Sequence, residues 1–339
     1  LGRAVAGSVA SAIGGSSCAR AQARRIGEGA SREMIRYLSV RVLLALPALW
    51  LIVTMVFLLA HIIPGDPVQQ MLGEGARAED LQQLRHSLGL DRPISVQYGH
   101  YLVGVLHGNL GESFRFQEPV TRVILSRYPA TLELALVALL VCAAISIPAG
   151  IYAAEHRGTA TDHAVGVFTL LGLSVPNFAL GPVLILIFSV ILGWLPVSGR
   201  GGAPHLILPA ITLGAALAAI LVRMVRSSVI EELSSDYVRT ARAKGLSESQ
   251  VLFRHAFRNA LIPILTILGL QFGTLLAGAI VTETIFSWPG IGRLAVQAIS
   301  ARDYPLLQGC ILLIAVSYVV VNLLTDMIYA LVDPRVRLQ

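Results

Sequence analysis

The stretch DYVRTARAKGLSES, Asp236 to Ser249, sets Arg239, Arg242 and Lys244 among short apolar residues in an otherwise charge-poor chain. Leu233 to Ala243 are good helix formers, and Gly245 is a natural helix stop. Ser247 with Gln250 three residues on has the pattern of a capping box, which predicts a second helix running on through VLFRHAFRNAL. The small residues Ala241, Ala243 and Gly245 keep the tip between these helices slim. The chemistry on offer is recognition: a basic projection around which another protein can close. The same residues also fit a solvated loop whose arginines only set topology.

Other reactive residue types give little. Lys244 is the single lysine and follows Ala243, so a Gly-Lys-Ser/Thr phosphate loop is excluded and energy must come from another subunit or source. Cys18, Cys142 and Cys310 are isolated and read as small buried hydrophobes. The eight histidines show no His-x-x-x-His spacing, so no metal site is expected. Glu133 and Asp326 fall inside apolar runs, where a charge invites a functional reading, although both sit near a span end where snorkelling or packing accounts for them. Asn177, beside Pro176, can face a pathway, because broken helix backbone tends to line cavities. Simple helix packing fits it equally well.

The elements that carry these residues are set by composition. Apolar residues make up 55% of the chain and charged residues 14%, and mean hydropathy is +0.71. One soluble core of this length cannot hide so much apolar surface, so the solvent is lipid. Six stretches can span a bilayer: Val42 to Ile63, Leu132 to Ala154, His163 to about Leu192, Leu206 to Val222, Ala260 to Val281, and Pro305 to Thr325. Pro176 and Gly181-Pro182 interrupt the third, which reads as one kinked span followed by an interfacial segment bearing Trp194. Arg223, Arg226, Arg239, Arg242, Lys244, Arg254 and Arg258 all lie between spans four and five, against Arg200, Arg293 and Arg302 in the opposite short connections. The positive-inside rule therefore predicts that both termini and the basic projection are cytoplasmic, with the long loop from Pro64 to about Arg127 outside. The net charge of +6 follows from these flanking cations and is not a nucleic-acid signal.

The projection RTARAKG, Arg239 to Gly245, resembles the coupling loop of binding-protein-dependent ABC importer permeases. Of the general Glu-Ala-Ala-x-x-x-Gly pattern only Ala241 and Gly245 survive, and the rest is similar to the peptide-type branch. PGDP at Pro64, LGLDRPISVQYGHY at Leu88, HGNLGES at His107, TETIFSWPGIGR at Thr282, RDYP at Arg302 and DPRVR at Asp333 extend the likeness from Met34 to Gln339. Together they resemble the dipeptide, oligopeptide, glutathione and nickel permease group.

The resemblance implies an all-α, six-span permease of the type I importer fold with a sizeable external loop between the first two spans. It would sit in a bacterial cytoplasmic membrane and work by alternating access. The expected divisions are a disordered extension over residues 1–33, then the first span and external loop over 34–127. A transmembrane core over 128–333 would contain the coupling loop 231–259, followed by a tail over 334–339. Expected partners are a second permease, two ATP-binding subunits that hold ATP and Mg, an external binding protein and membrane lipid. No cofactor, catalytic residue or nucleic acid is expected in this chain. The ATPase contact is assigned to Arg239, Thr240, Ala241, Arg242, Ala243, Lys244, Gly245, Leu246, Glu248 and Gln250. The translocation path or external gate is assigned to Asn177, Glu283, Trp288, Arg293 and Asp303. Gly269 and Gly273, continued by Ala277, form a small-residue face that permits close helix approach, with the second permease as one possible neighbour.

Overall fold

In the computed structural model the described residues are 39–58, 61, 67–73, 75–87 and 89–332. The extension 1–33 and the tail 334–339 lie outside them. The described residues form helices and the loops that join them, with one isolated antiparallel bridge, Glu112 to Pro119. Span one is α1, Ser39–Leu58. The long loop then carries α2 (Pro67–Leu72), α3 (Ala78–Ser87) and α4 (Ile94–Leu106). After it come α5 (Val120–Glu155), α6 (Ala160–Ser174), α7 (Asn177–Leu184) and α8 (Ala203–Leu233). The projection begins with α9 (Asp236–Ala243), and α10 (Glu248–Gln250) runs through a π-helical stretch into α11 (Phe257–Gly278). Short helices α12 (Ile280–Ile285) and α13 (Ile291–Ser300) precede α14 (Tyr304–Val332).

Among the described residues five helices are long and apolar enough to cross a membrane, and α6 with α7 and the π-helical stretch that continues it, Ile185–Ile191, supplies a sixth crossing if the bent pair counts as one span. The third span is bent far more sharply than a kink. Its two halves meet at 98°, because Pro176 cannot continue α6 and starts α7 from extended backbone. Pro182 lies inside α7, which passes into the π-helical stretch after Leu184. Span boundaries also move. α5 begins twelve residues before Leu132, and α8 runs eleven residues past Val222. Hydropathy marks only the lipid-facing part of a helix, whereas backbone hydrogen bonding continues through polar residues into water.

The core is a column along α5, α8, α11 and α14. At the end away from the projection, Val120, Val123 and Ile124 pack on Ile291, Leu294, Leu306 and Cys310. In the middle, Leu134, Ala135 and Ala138 meet Ala210, Leu213, Leu275 and Trp288. Towards the projection, Cys142, Ile151 and Ala154 meet Leu221, Val225, Val229 and Ile264. Gly269 shows why small residues line these contacts: a Cβ there would collide with the Thr325 side chain on α14. Gly273 likewise faces Tyr318. At Gly269 and Gly273 the small-residue face therefore closes α11 on α14 within this chain. Polar contacts also cross the column: Gln271 donates to the Leu217 carbonyl at 3.2 Å and accepts from the Cys142 thiol at 3.4 Å.

Span one sits at the side. Gln308 donates to the Val56 carbonyl at 3.3 Å, and Arg41 pairs with Asp326 at 3.4 Å. Glu133 is held by Arg200 at 2.6 Å. Each of the two carboxylates noted inside apolar runs thus has a cation, which is what lipid surroundings demand of a charged group.

Candidate functional site

The projection is a small folded unit. Only Ser234 and Ser235 separate α8 from α9, so the helix expected from Leu233 starts three residues later, at Asp236. Ser235 is extended, with ψ of 151°. Asp236 in the first turn and Arg242 in the last suit the helix dipole. At the tip, the Leu246 N–H donates to Ala241 O at 3.4 Å and the Gly245 N–H donates to Arg242 O at 2.9 Å. This pair of reversed bonds is a Schellman cap, which needs a left-handed residue. Gly245 supplies it with φ of +77°. The capping box is present: the Gln250 N–H donates to Ser247 Oγ at 3.4 Å, and the Ser247 N–H donates to Gln250 Oε1 at 3.3 Å.

Beneath the tip, Val238, Ala241 and Val251 are buried, with Leu233 and Leu246 packed on them. The Arg242 guanidinium grips Glu248 through two hydrogen bonds of 2.9 and 3.1 Å, which brace one helix against the other. Of the residues assigned to partner contact, Ala241 and Leu246 are covered by the tip's own packing, whereas Arg239, Thr240, Arg242, Ala243, Lys244, Gly245, Glu248 and Gln250 are exposed, Arg242 and Glu248 while bracing each other.

At the opposite end, the residues assigned to a gate form a closed platform. Glu283 is fully buried and accepts from Thr131 Oγ1 at 2.7 Å and from the Arg293 N–H at 2.9 Å. Thr131 Oγ1 also accepts from the Ile291 N–H at 2.8 Å, so both groups cap the start of α13. A Cβ at Gly290 would strike the Glu283 carboxylate. Trp288 is fully buried and its indole donates to Ala130 O at 2.8 Å. That carbonyl lies one residue beyond Pro129 in α5. Arg293 is half-buried and donates to Ser287 O at 2.6 Å. Asp303, also fully buried, takes hydrogen bonds from Ser113 Oγ at 2.5 Å, the Arg115 N–H at 3.1 Å and the Leu306 N–H at 3.2 Å. Ser287 and Arg302, the residues before Trp288 and Asp303 in this platform, have φ of 51° and 52°. Left-handed backbone at non-glycine residues is uncommon and persists where the surroundings enforce it. Neither Glu283 nor Asp303 reaches the surface. Asn177 stands apart, half-buried in the first turn of α7.

Residues 146–338 match the family of binding-protein-dependent transport system inner membrane components, and residues 34–135 match that family's N-terminal component. The chain belongs to this family. The permease is 46% identical over 337 residues to the di/tripeptide transport system permease protein DppB of Pseudomonas aeruginosa, covering 90% of this chain and all of that one. It is 43% identical over 304 residues to the glutathione transport system permease protein GsiC of Escherichia coli K12, covering 90% of this chain and 99% of that one. Its fold is similar to that of the MetNI methionine ABC transporter, with a TM-score of 0.50 and 18% identity over 62% of this chain and 96% of that one.

One feature of the permease escaped sequence reasoning. Asp162, at the start of α6, accepts from Arg226 Nε at 2.6 Å and from Arg226 Nη2 at 2.8 Å, and a third bond comes from the Gly158 N–H at 2.9 Å. The two side chains lie 64 positions apart. A signal did exist: Asp162 is the sole acid between Arg157 and Arg200, and it borders an apolar run whose entry must satisfy it.

Proposed function

We propose that this permease carries small peptides inward, with di- and tripeptides and glutathione as the solute class. It does so as one half of a permease pair whose exposed tips, Arg239 to Gln250, are gripped by two ATP-binding subunits. The observation that carries this is the folded tip itself. A loop that only sets topology needs charge, whereas this one has its own apolar core, a Schellman cap, a capping box and a bidentate brace. A rigid tip transmits force that a solvated loop cannot. The solute class is taken from the relatives named for di/tripeptide and glutathione transport. ATP and Mg are held by the partner subunits, and an external binding protein delivers the solute to the platform end.

In this reading both termini and the tip are cytoplasmic, and the α2 to α4 region faces outward. Glu283, Trp288, Arg293 and Asp303 frame the external gate by fixing α12 and α13, and Asn177 faces the path at the break of the third span.

Two experiments test it. Cysteines at the exposed positions Gln82 and Ser247, in a chain lacking Cys18, report the topology through an impermeant thiol reagent on intact cells. Gln82→Cys is expected to label and Ser247→Cys to stay unlabelled; the reverse result would invert the permease. Gentle purification of the native assembly, with mass identification of its chains and ligand, should return a second permease, ATP-binding subunits and a peptide. Recovery of this chain alone with a non-peptide solute would refute the assignment.

A further inference from the structure

We propose that the Asp162–Arg226 ion pair is the pin that passes movement of the finger, the projection Asp236 to Gln250, from α8 to the broken span, and thereby sets how much solute moves per ATP hydrolysed. This rests on the reading of the finger as the ATPase contact.

The placement of the pair carries the proposal. Arg226 lies on α8 two helical turns before Leu233, and α9 begins after only Ser234 and Ser235. A push on the finger therefore crosses two residues to reach Leu233, and from there Arg226 through continuous helix. Asp162 is the third residue of α6. From there α6 runs back along α8, so that a Cβ on Gly172 would lie 3.5 Å from the Ala219 methyl. Among the described residues, the side-chain hydrogen bonds joining α6 to α8 are the two from Arg226 to Asp162.

The remaining contact is apolar, and apolar contact is non-directional. Such a surface lets one helix slide or roll on the other. A bidentate guanidinium–carboxylate pair fixes both distance and angle. Asp162 is 6% exposed, and the Gly158 N–H holds its second oxygen, so the carboxylate cannot swing away with the arginine.

The other end of the lever is equally well placed. α6 ends at the 98° break, beyond which Gly181 of α7 packs against Ile285 and Phe286 of the platform that holds Glu283. A continuous mechanical route thus runs from the finger, through α8 and the pin, along α6 to the opposite end of the molecule. In this scheme α6 and α8 move as one body.

The test uses the full assembly in proteoliposomes, reading peptide transported against phosphate released. Arg226→Gln keeps most of the side-chain stem but removes the charge and the fork. It is expected to lower the transport-to-hydrolysis ratio by about fivefold or more, the low end of usual site-to-site couplings, with hydrolysis itself little changed. A disulfide between Gly172→Cys and Ala219→Cys suits the observed closeness. In the native-pair background it should leave the ratio intact, and in the Arg226→Gln background it should restore it. A wild-type ratio in Arg226→Gln overturns the proposal, as does failure of the disulfide to restore that variant. If Arg226→Gln does not assemble, the disulfide in the native-pair background decides alone, and a block of transport means that α6 and α8 must separate. Gly245→Asp measured in parallel separates the two readings. A wild-type ratio there sinks the finger reading, whereas a coupled Arg226→Gln beside an uncoupled Gly245→Asp sinks the pin alone.

Discussion

Gly245→Asp leaves the permease in the membrane at wild-type level and lowers peptide uptake by roughly tenfold or more, a factor that corresponds to about 1.4 kcal/mol. Two local effects add to it. The residue sits at φ of +77°, where any side chain adds strain of about 1 kcal/mol. Space is not the obstacle, since nothing lies within 4 Å of a Cβ there. The larger effect arises on docking, because an unpaired carboxylate enclosed by a partner costs roughly 2–5 kcal/mol. The change is remote from every core cluster along the spans, so insertion is unaffected. Gly245→Asn separates the causes, since asparagine tolerates left-handed backbone and brings no charge. It is expected to retain most of the uptake. Equal losses in the two variants would assign the effect to backbone geometry instead of docking.

Glu283→Ala produces the largest expected loss of stability. Its fully buried carboxylate joins α12 to α5 through Thr131 and to α13 through the Arg293 N–H. Removing it strands at least two donors, at about 1–3 kcal/mol each, and leaves a void at Gly290. The melting temperature of the purified assembly should fall by roughly 5 °C or more, by the usual scaling of stability with unfolding entropy. Glu283→Gln keeps one acceptor and should fall in between. An unchanged melting temperature in Glu283→Ala would mean that the platform is held by its apolar packing around Trp288 and Ile291 alone.

These residues show what a one-dimensional reading can reach. The finger was legible because its determinants are local: Gly245 for the turn and Ser247 with Gln250 for the cap all lie within six residues. Spans were legible because lipid imposes apolar length on each helix separately. Their ends were not, because α8 continues past its apolar stretch through charged residues such as Arg223 and Glu232. Partnerships were hidden for a different reason. Thr131 and Glu283 are 152 positions apart, and nothing in the local pattern of either names the other. Gly269 announced close packing, but only the fold shows that the neighbour is Thr325 of the same chain. The 98° turn lay between. Pro176 marked the break, but not its angle or the packing of α7 against Ile285 and Phe286.

The central claim is that the finger makes solute movement depend on ATP-binding partners. Uptake of a labelled dipeptide into proteoliposomes measures this most directly, with the permease pair reconstituted in the presence or absence of those partners and a binding protein. The account predicts ATP-dependent uptake from the full assembly and none from the permease pair alone, whatever ion gradient is imposed. Gradient-driven uptake by the permease pair without ATP-binding subunits would contradict it.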